Sequence, residues 1–276
     1  WAKAGGARLV WNQNGVAFPA WAGTRATELN RPMAALLKEA DFVVYQSAFC
    51  RESSNRHLGS TDRPHAILFN PVNLREFRPA ERRPEAQPWK LLVAGTHHQR
   101  ERVLLPLEAL RNMLDAGLEA QLTVAGELRW PHGTREVAAE IERLNIGDKV
   151  NVVPPFTQNE AVTLYQTHHV LLHLKYQDPC PTVVIEAMAC GLPVIGSASG
   201  GMPELVGEDG GRLMEVPLGF EKSAYPGAEV VAEAVRKLMR GNWREASERA
   251  RVRAERLFDA NEWVNEHTRI FGQVLT

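Results

Sequence analysis

The chain has 276 residues, 44% of them apolar, and its 32 basic and 33 acidic side chains leave a net charge of −1. That supports one large or two ordinary hydrophobic cores, and the near-neutral balance excludes the electrostatics of nucleic-acid or anionic-membrane binding. Cys50, Cys180 and Cys190 are odd in number and widely spaced, the start "WAKAGGARLV" lacks the apolar core of a signal peptide, and no apolar run approaches the ~20 residues of a membrane helix, so a soluble cytosolic chain with reduced thiols is expected.

In chain order, "ARLVWNQNG", "DFVVYQS" and "HAILFN" read as strands, with the helical pattern "MAALLKEA" between the first two. After a break follow "KLLVAG", "QLTVAG", "KVNVVPP", "HVLLHL" and "LPVIGS", separated by "VLLPLEALRNMLDAG", "TREVAAEIERLNIG", "NEAVTLYQTH" and "PTVVIEAMACG", whose apolar residues recur every three to four positions. Most of the strand runs are continuously apolar rather than alternating, as parallel strands covered on both faces should be. The βαβα order predicts an α/β architecture with helices on both sheet faces.

Residues 70–90, "NPVNLREFRPAERRPEAQPWK", carry several prolines among alternating charges and read as a linker between two α/β units. The expected boundaries are 1–79 for a first unit with the hinge, 88–257 for a second, and 258–276 for a closing helix. The first unit has only about three strand candidates, half an ordinary nucleotide-fold domain, so the chain reads as truncated at its N-terminus. "REASERARVRAERL" reads as a solvated helix face.

Within "DPCPTVVIEAMACGLPVIGSASGGMPELV" a carboxylate, Glu186, interrupts a helical run that is otherwise almost wholly apolar. A buried ionised carboxylate without partners is costly, so Glu186 must reach solvent, a partner or a ligand. The spacing predicts a helix over 181–190, with Pro181 in its first turn and Gly191 as its stop. Thr182 and Glu186 then share a face, and periodicity alone leaves open whether that face is merely exposed. Asp178, in the loop at the carboxyl end of a strand, puts a second acid beside the same helix N-terminus, where unpaired N–H groups and the positive dipole end suit an anion. A phosphate on the N-terminus with carboxylates accepting from hydroxyls on either side matches a nucleoside diphosphate sugar.

The stretch "DPCPTVVIEAMACGLPVIGSASGGMPELVGEDGG" resembles the signature of retaining GT-B glycosyltransferases of the GT4 kind (glycosyl transferases group 1): two acids spaced by seven residues, an "EAMA.G.PVI" helix and strand, and a "GG..E" loop. "ADFVVYQSAFC" looks like the last strand and helix of the family's first domain, "ILFNPVNLREFRP" like its hinge, "LLVAGT" like the strand opening its donor domain, and "FDANEWVNEHTRIF" like the helix that returns to the first domain. The resemblance implies a GT-B fold of two Rossmann-like, doubly wound parallel-sheet domains, the first incomplete here. It implies that Glu186 binds ribose hydroxyls, that Asp178 holds the donor sugar, and that Gly95, Thr182, Val183, Gly200 and Gly201 contact the donor. Two departures from the pattern involve three positions. The first acid is Asp178 rather than Glu, and Thr96 and Glu101 stand where the family carries an Arg and a Lys on the diphosphate. Arg100 and Arg102 bracket the latter position and become the candidate cations, with His97 and His98 nearby.

The expected activity is transfer of a sugar from a nucleoside-diphosphate-sugar co-substrate to a glycan or glycolipid hydroxyl in polysaccharide or cell-surface biosynthesis, with no metal and no other cofactor. The resemblance places it in the cytoplasm or peripherally at the inner face of the membrane. The alternative is a non-catalytic nucleotide-sugar-binding or assembly module of the same fold. Asn12, Gln13 and Asn14 fall at a strand end on the presumed cleft side, and Trp11, Phe18 and Trp21 either stack on a sugar or, as packing favours, fill a core. His168, His169 and His173 read as structural. No G-x-G-x-x-G follows a strand, "GK" never occurs, no zinc spacing is present, and no G-x-S-x-G elbow supports a hydrolase.

Overall fold

The computed structural model describes residues 3–82, 84 and 87–276; Trp1 and Ala2 of the first unit and Arg83, Glu85 and Ala86 of the linker lie outside the described residues. The first unit contains β1 (Val10–Gln13), α1 (Pro19–Ala22), α2 (Ala26–Glu39), β2 (Phe42–Tyr45), α3 (Ala48–His57) and β3 (His65–Ile67). Its strands form a parallel sheet in the order β1-β2-β3, with Val10 opposite Phe42 and Val43 opposite His65. α3 begins where the Ser47 side chain accepts from the Cys50 amide, a cap that satisfies one free N–H of its first turn.

The second unit runs β4 (Trp89–Ala94), α4 (Glu101–Asp115), β5 (Ala120–Ala125), α5 (Gly133–Arg143), β6 (Val150–Val153), α6 (Gln158–Thr167), β7 (Val170–His173), α7 (Thr182–Ala189), β8 (Val194–Ser197), α8 (Met202–Val206), β9 (Gly211–Met214), α9 (Ala228–Arg240) and α10 (Trp243–Leu257). Its six parallel strands take the order β6-β5-β4-β7-β8-β9, which reverses direction between β4 and β7. The continuously apolar runs are explained by burial on both faces. Leu91 and Val93 of β4 join a core with α4 and α9, while Leu92 and Ala94 join one with α6, α7 and α10. This is a doubly wound α/β sheet, and β9, rich in neither β-branched nor aromatic residues, adds a strand that the sequence reading left out.

Two parts of the chain pack more closely than their composition suggests. The segment read as a linker packs on the second unit, with Val72 and Phe77 buried there. The helix α10 is not simply a solvated charged face. Trp243, Ala246, Ala250 and Ala254 are buried, Arg251 donates to the carbonyls of Phe77 and Ala189, and Arg253 donates to those of Leu205 and Glu204. Both guanidinium groups satisfy carbonyls at the C-terminal ends of α7 and α8, work that lysine's single ammonium does less well.

The two sheets are tied together from several directions. α11 (Ala260–Leu275) packs Ile270 against Phe42 and Val44 of the first sheet. Phe220, in the loop between β9 and α9, inserts into the first unit's core beside Phe18 and Phe49, and its carbonyl accepts from the Ala20 amide at 2.8 Å. The Glu204 carboxylate accepts from the amides of Ala48 and Phe49 at 2.7 and 2.9 Å, so a side chain of α8 caps the N-terminus of α3 across the gap. Among the described residues no helix is long and apolar enough to cross a membrane.

Candidate functional site

The carboxyl ends of both sheets open onto one cleft of about 1340 Å³, with the loops after β1, β4 and β7 around it. In open α/β sheets this edge, at the point where strand order reverses, is where ligands bind, and β4 and β7 are that pair. Gly95 directly follows β4 at φ 112°, a left-handed conformation that side chains resist, and this lets the loop turn past Val183 of α7.

α7 points its N-terminus at the cleft. Pro181 serves as its N-cap in extended conformation without a side-chain bond, so the helix spans one residue less at each end than expected. Thr182 is exposed and Val183 half-buried, and both line the cleft. Glu186 lies one turn further along the same side of α7, half-buried and outside the cleft lining, where its Oε2 accepts from the Tyr165 hydroxyl at 2.9 Å. Burial raises the Glu186 pKa above the ordinary carboxylate value, against the hydrogen bond from Tyr165 and with help from the charge of Glu76.

Asp178 lines the cleft but is only 7% exposed. Its Oδ2 lies 2.9 Å from the Lys175 ammonium and 3.3 Å from His173 Nε2. Burial alone would push the Asp178 carboxyl up. The contacts with His173 and Lys175 outweigh it and hold the group well below the ordinary carboxylate range. His173 goes the other way: enclosure drives its pKa down against the pull of Asp178. Among the described residues no group is aligned for a hydrogen bond with His173 Nε2. The reading of the three histidines as structural holds for His168, bonded to Thr123 Oγ1 and the Leu164 carbonyl, and for His169, which accepts from the Lys90 amide. His173, also buried, ends β7 beside the Asp178 loop and lines the cleft as well.

The two candidate arginines separate. Arg102, 6% exposed, lines the cleft and donates Nη1 to the Thr96 carbonyl at 2.7 Å. Its charge is opposed by burial and favoured by Asp178 and Tyr225. Arg100 points out of the cleft to an ion pair with Glu136. His97 is buried with Nε2 on the Ala125 carbonyl, and burial takes its pKa down to about 4, whereas His98 reaches the cleft.

Gly200 and Gly201 do not line the cleft. They press on the backbone of the Asp178 loop: a Cβ on Gly201 would overlap the Pro179 carbonyl, one on Gly200 would overlap the Asp178 backbone, and the Gly201 amide donates to the Asp178 carbonyl. Their small size positions the loop that carries the acid.

The opposite wall belongs to the first unit. Asn14 lines it, while Gln13 turns inward to Cys50 and the Gly15 backbone, and Asn12 faces His267 of α11. Phe18 is buried and Trp11 packs on the same core, but Trp21 stands 53% exposed at the cleft with Leu29 and Met33 behind it.

The sequence profile of the family described as "Glycosyl transferases group 1" matches residues 75–256, more than half of the chain. A D-inositol 3-phosphate glycosyltransferase of Streptomyces bingchenggensis is 32% identical over 179 residues, covering 59% of this chain and 38% of that protein. The chain spans less than half the length of the inositol-phosphate relatives that it matches. Among solved structures, the sucrose-phosphate synthase of Thermosynechococcus elongatus superposes with a TM-score of 0.78 at 22% identity, over 96% of this chain and 67% of that one. Anabaena Alr3699/HepE in complex with UDP-glucose superposes with a TM-score of 0.80 at 15% identity, over 99% of this chain and 74% of that one. The likeness to these structures establishes the GT-B fold.

Proposed function

The chain belongs to the glycosyl transferases group 1 family, and we propose that it transfers a sugar from a nucleoside-diphosphate-sugar donor to a hydroxyl of a glycan or glycolipid acceptor, with retention of anomeric configuration and without a metal. The observation that carries this reading is the cleft wall where Thr182 and Val183 at the N-terminus of α7 face the same space as Arg102 and Asp178. In this reading the diphosphate lies against the α7 amides, the donor sugar lies toward Asp178, and the ribose lies along α7 toward Glu186. As the bond from the anomeric carbon to the diphosphate oxygen breaks, negative charge builds on that oxygen, and the amides with Arg102 stabilise it. The acceptor oxygen bonds to the anomeric carbon on the face that the diphosphate leaves, and its proton departs with the diphosphate. The apolar first-unit wall of Trp21, Leu29 and Met33 suits the acceptor, because a sugar ring or lipid-linked group can lie on an exposed indole.

The test is a transfer assay with UDP-, GDP- and ADP-sugars and a range of hydroxyl acceptors, the product's anomeric configuration being read by proton NMR with and without a chelator. Transfer with retention that survives the chelator supports the reading. Inversion or a strict requirement for added divalent metal would overturn the mechanism, and binding of donor with no transfer to any acceptor would make the chain a binding module.

A further inference from the structure

Lys175 was not among the residues singled out from sequence, yet among the described residues it is one of three cationic side chains of Lys or Arg type that line the cleft, with Arg102 and Lys222. It sits in the loop after β7, and Arg102 sits in the first turn of α4 after β4, so the two come from neighbouring strands at the reversal point of the sheet. Asp178 joins them: its Oδ2 is 2.9 Å from Lys175 Nζ, and its charge acts on Arg102. His98, also in the cleft, feels the positive charge of both.

The exposures differ in a telling way. Asp178 and Arg102 are 7% and 6% exposed, while the Lys175 side chain is 39% exposed. Arg102 commits one donor to Thr96, and Asp178 commits an oxygen to Lys175, with His173 against the same oxygen. An ammonium has three donors, and one contact with Asp178 leaves donors for the cleft. Two cations around one enclosed carboxylate also leave the cluster with net positive charge, so the carboxylate does not neutralise it.

We infer that Lys175 is a donor-binding residue that receives the distal phosphate of the leaving nucleoside diphosphate, with Asp178 and His173 as positioning residues that fix its ammonium at the cleft. This rests on the donor reading of the same site given above. An anion at the reversal point meets Arg102 from the β4 side and Lys175 from the β7 side, above the amides of α7. Asp178 in this arrangement orients the lysine as well as facing the donor sugar. A carboxylate on the donor sugar presents the same anionic chemistry to Lys175, and the arms of the test separate the two sources.

Calorimetric titration of the protein, wild type and with Lys175→Met or Lys175→Arg, would use UDP, UMP, ADP, AMP, GDP and GMP, with UDP-glucose and UDP-glucuronic acid as neutral and anionic sugar donors. The inference predicts that Lys175→Met weakens the preferred nucleoside diphosphate by about ten- to hundredfold, the scale of one charge-assisted hydrogen bond, while its monophosphate is affected less than threefold. Lys175→Arg should recover most of the lost affinity, which a purely structural role for the lysine would not require, and matching thermal melts would show that the fold is intact. Equal diphosphate binding by wild type and Lys175→Met overturns the inference and leaves the donor reading standing. Loss confined to the acid-bearing donor overturns it in favour of the sugar carboxylate. Failure of wild type to bind any of these nucleotides overturns both readings.

Discussion

The two walls of the cleft are built from opposite materials. The second unit contributes Arg102 from the first turn of α4, His173 from the end of β7, and Lys175 and Asp178 from the loop after it, and the first unit contributes Trp21, Leu29, Met33 and Asn14 after β1. Charge is costly to hold in a half-enclosed space, and the second unit manages it by pairing each group: Arg102 with Thr96, and Asp178 with Lys175. The apolar wall needs no such arrangement. In the proposed reaction this difference would put fixed electrostatics on the leaving-group side and adaptable contact on the acceptor side.

The largest expected effect comes from breaking the charged wall. Arg102→Ala should lower kcat by about a hundredfold, because a cation aimed at the leaving phosphate matters more to the transition state than to the bound donor. Steady-state kinetics with saturating donor would show it, and a change in KM alone would remove Arg102 from the leaving group.

Next comes the paired acid. Asp178→Asn should cost about 1.5 to 3 kcal/mol of stability at neutral pH, read by denaturant unfolding. The sign of its pH dependence is fixed by the lowered pKa. The contribution is full above the ordinary value of 3.8 and is lost as pH falls below it toward the lower folded value. Wild type and variant should therefore differ steadily down to about pH 4 and converge below it. A gap that widens on acidification would mean that Asp178 is protonated in the folded protein.

A smaller effect tests how the walls are held together. Glu204→Ala removes the carboxylate that caps α3 from α8 and should lower the melting temperature by about 2 to 4 °C, the consequence of losing about 1 kcal/mol. An unchanged melting curve would show that the insertion of Phe220 and the packing of α11 suffice to join the units. The smallest effect is expected from Arg100→Ala, which deletes only a half-exposed ion pair with Glu136 and should change both stability and kcat by no more than about 0.5 kcal/mol.

Much of this was legible in the sequence, for identifiable reasons. Continuous apolar runs such as "KLLVAG" and "HVLLHL" announce strands buried on both faces, and all eight runs read as strands are strands in the fold. β9 escaped because "GRLM" has neither alternation nor β-branched residues, although α9, with apolar residues at helical spacing, carried a signal that went unread. At the site, the loop after β7 and the α7 terminus were legible from Pro181, Gly191 and the two acids. The partnership of Lys175 with Asp178 was not, since a loop has no period to place two side chains together. The same limit explains His173, which reads as one polar residue in an apolar strand, and Gly200 and Gly201, whose contact with residues 178–179 depends on a fold-level approach of two loops. Arg251 and Arg253 looked solvated because sequence shows charge but not the carbonyls that receive it.

The central claim, that the charged wall and α7 form a seat for a nucleoside diphosphate sugar, is tested most directly by calorimetric titration of wild type and Glu186→Gln with UDP-, GDP- and ADP-sugars. The account predicts saturable binding of at least one donor, weakened in Glu186→Gln by about 1.5 to 3 kcal/mol with the fold unchanged, because in the proposed reading the carboxylate that accepts from Tyr165 would also accept from the ribose hydroxyls. Equal donor affinity in the two proteins, or no binding of any donor by wild type while Glu186→Gln unfolds, would contradict it and make Glu186 a structural partner of Tyr165.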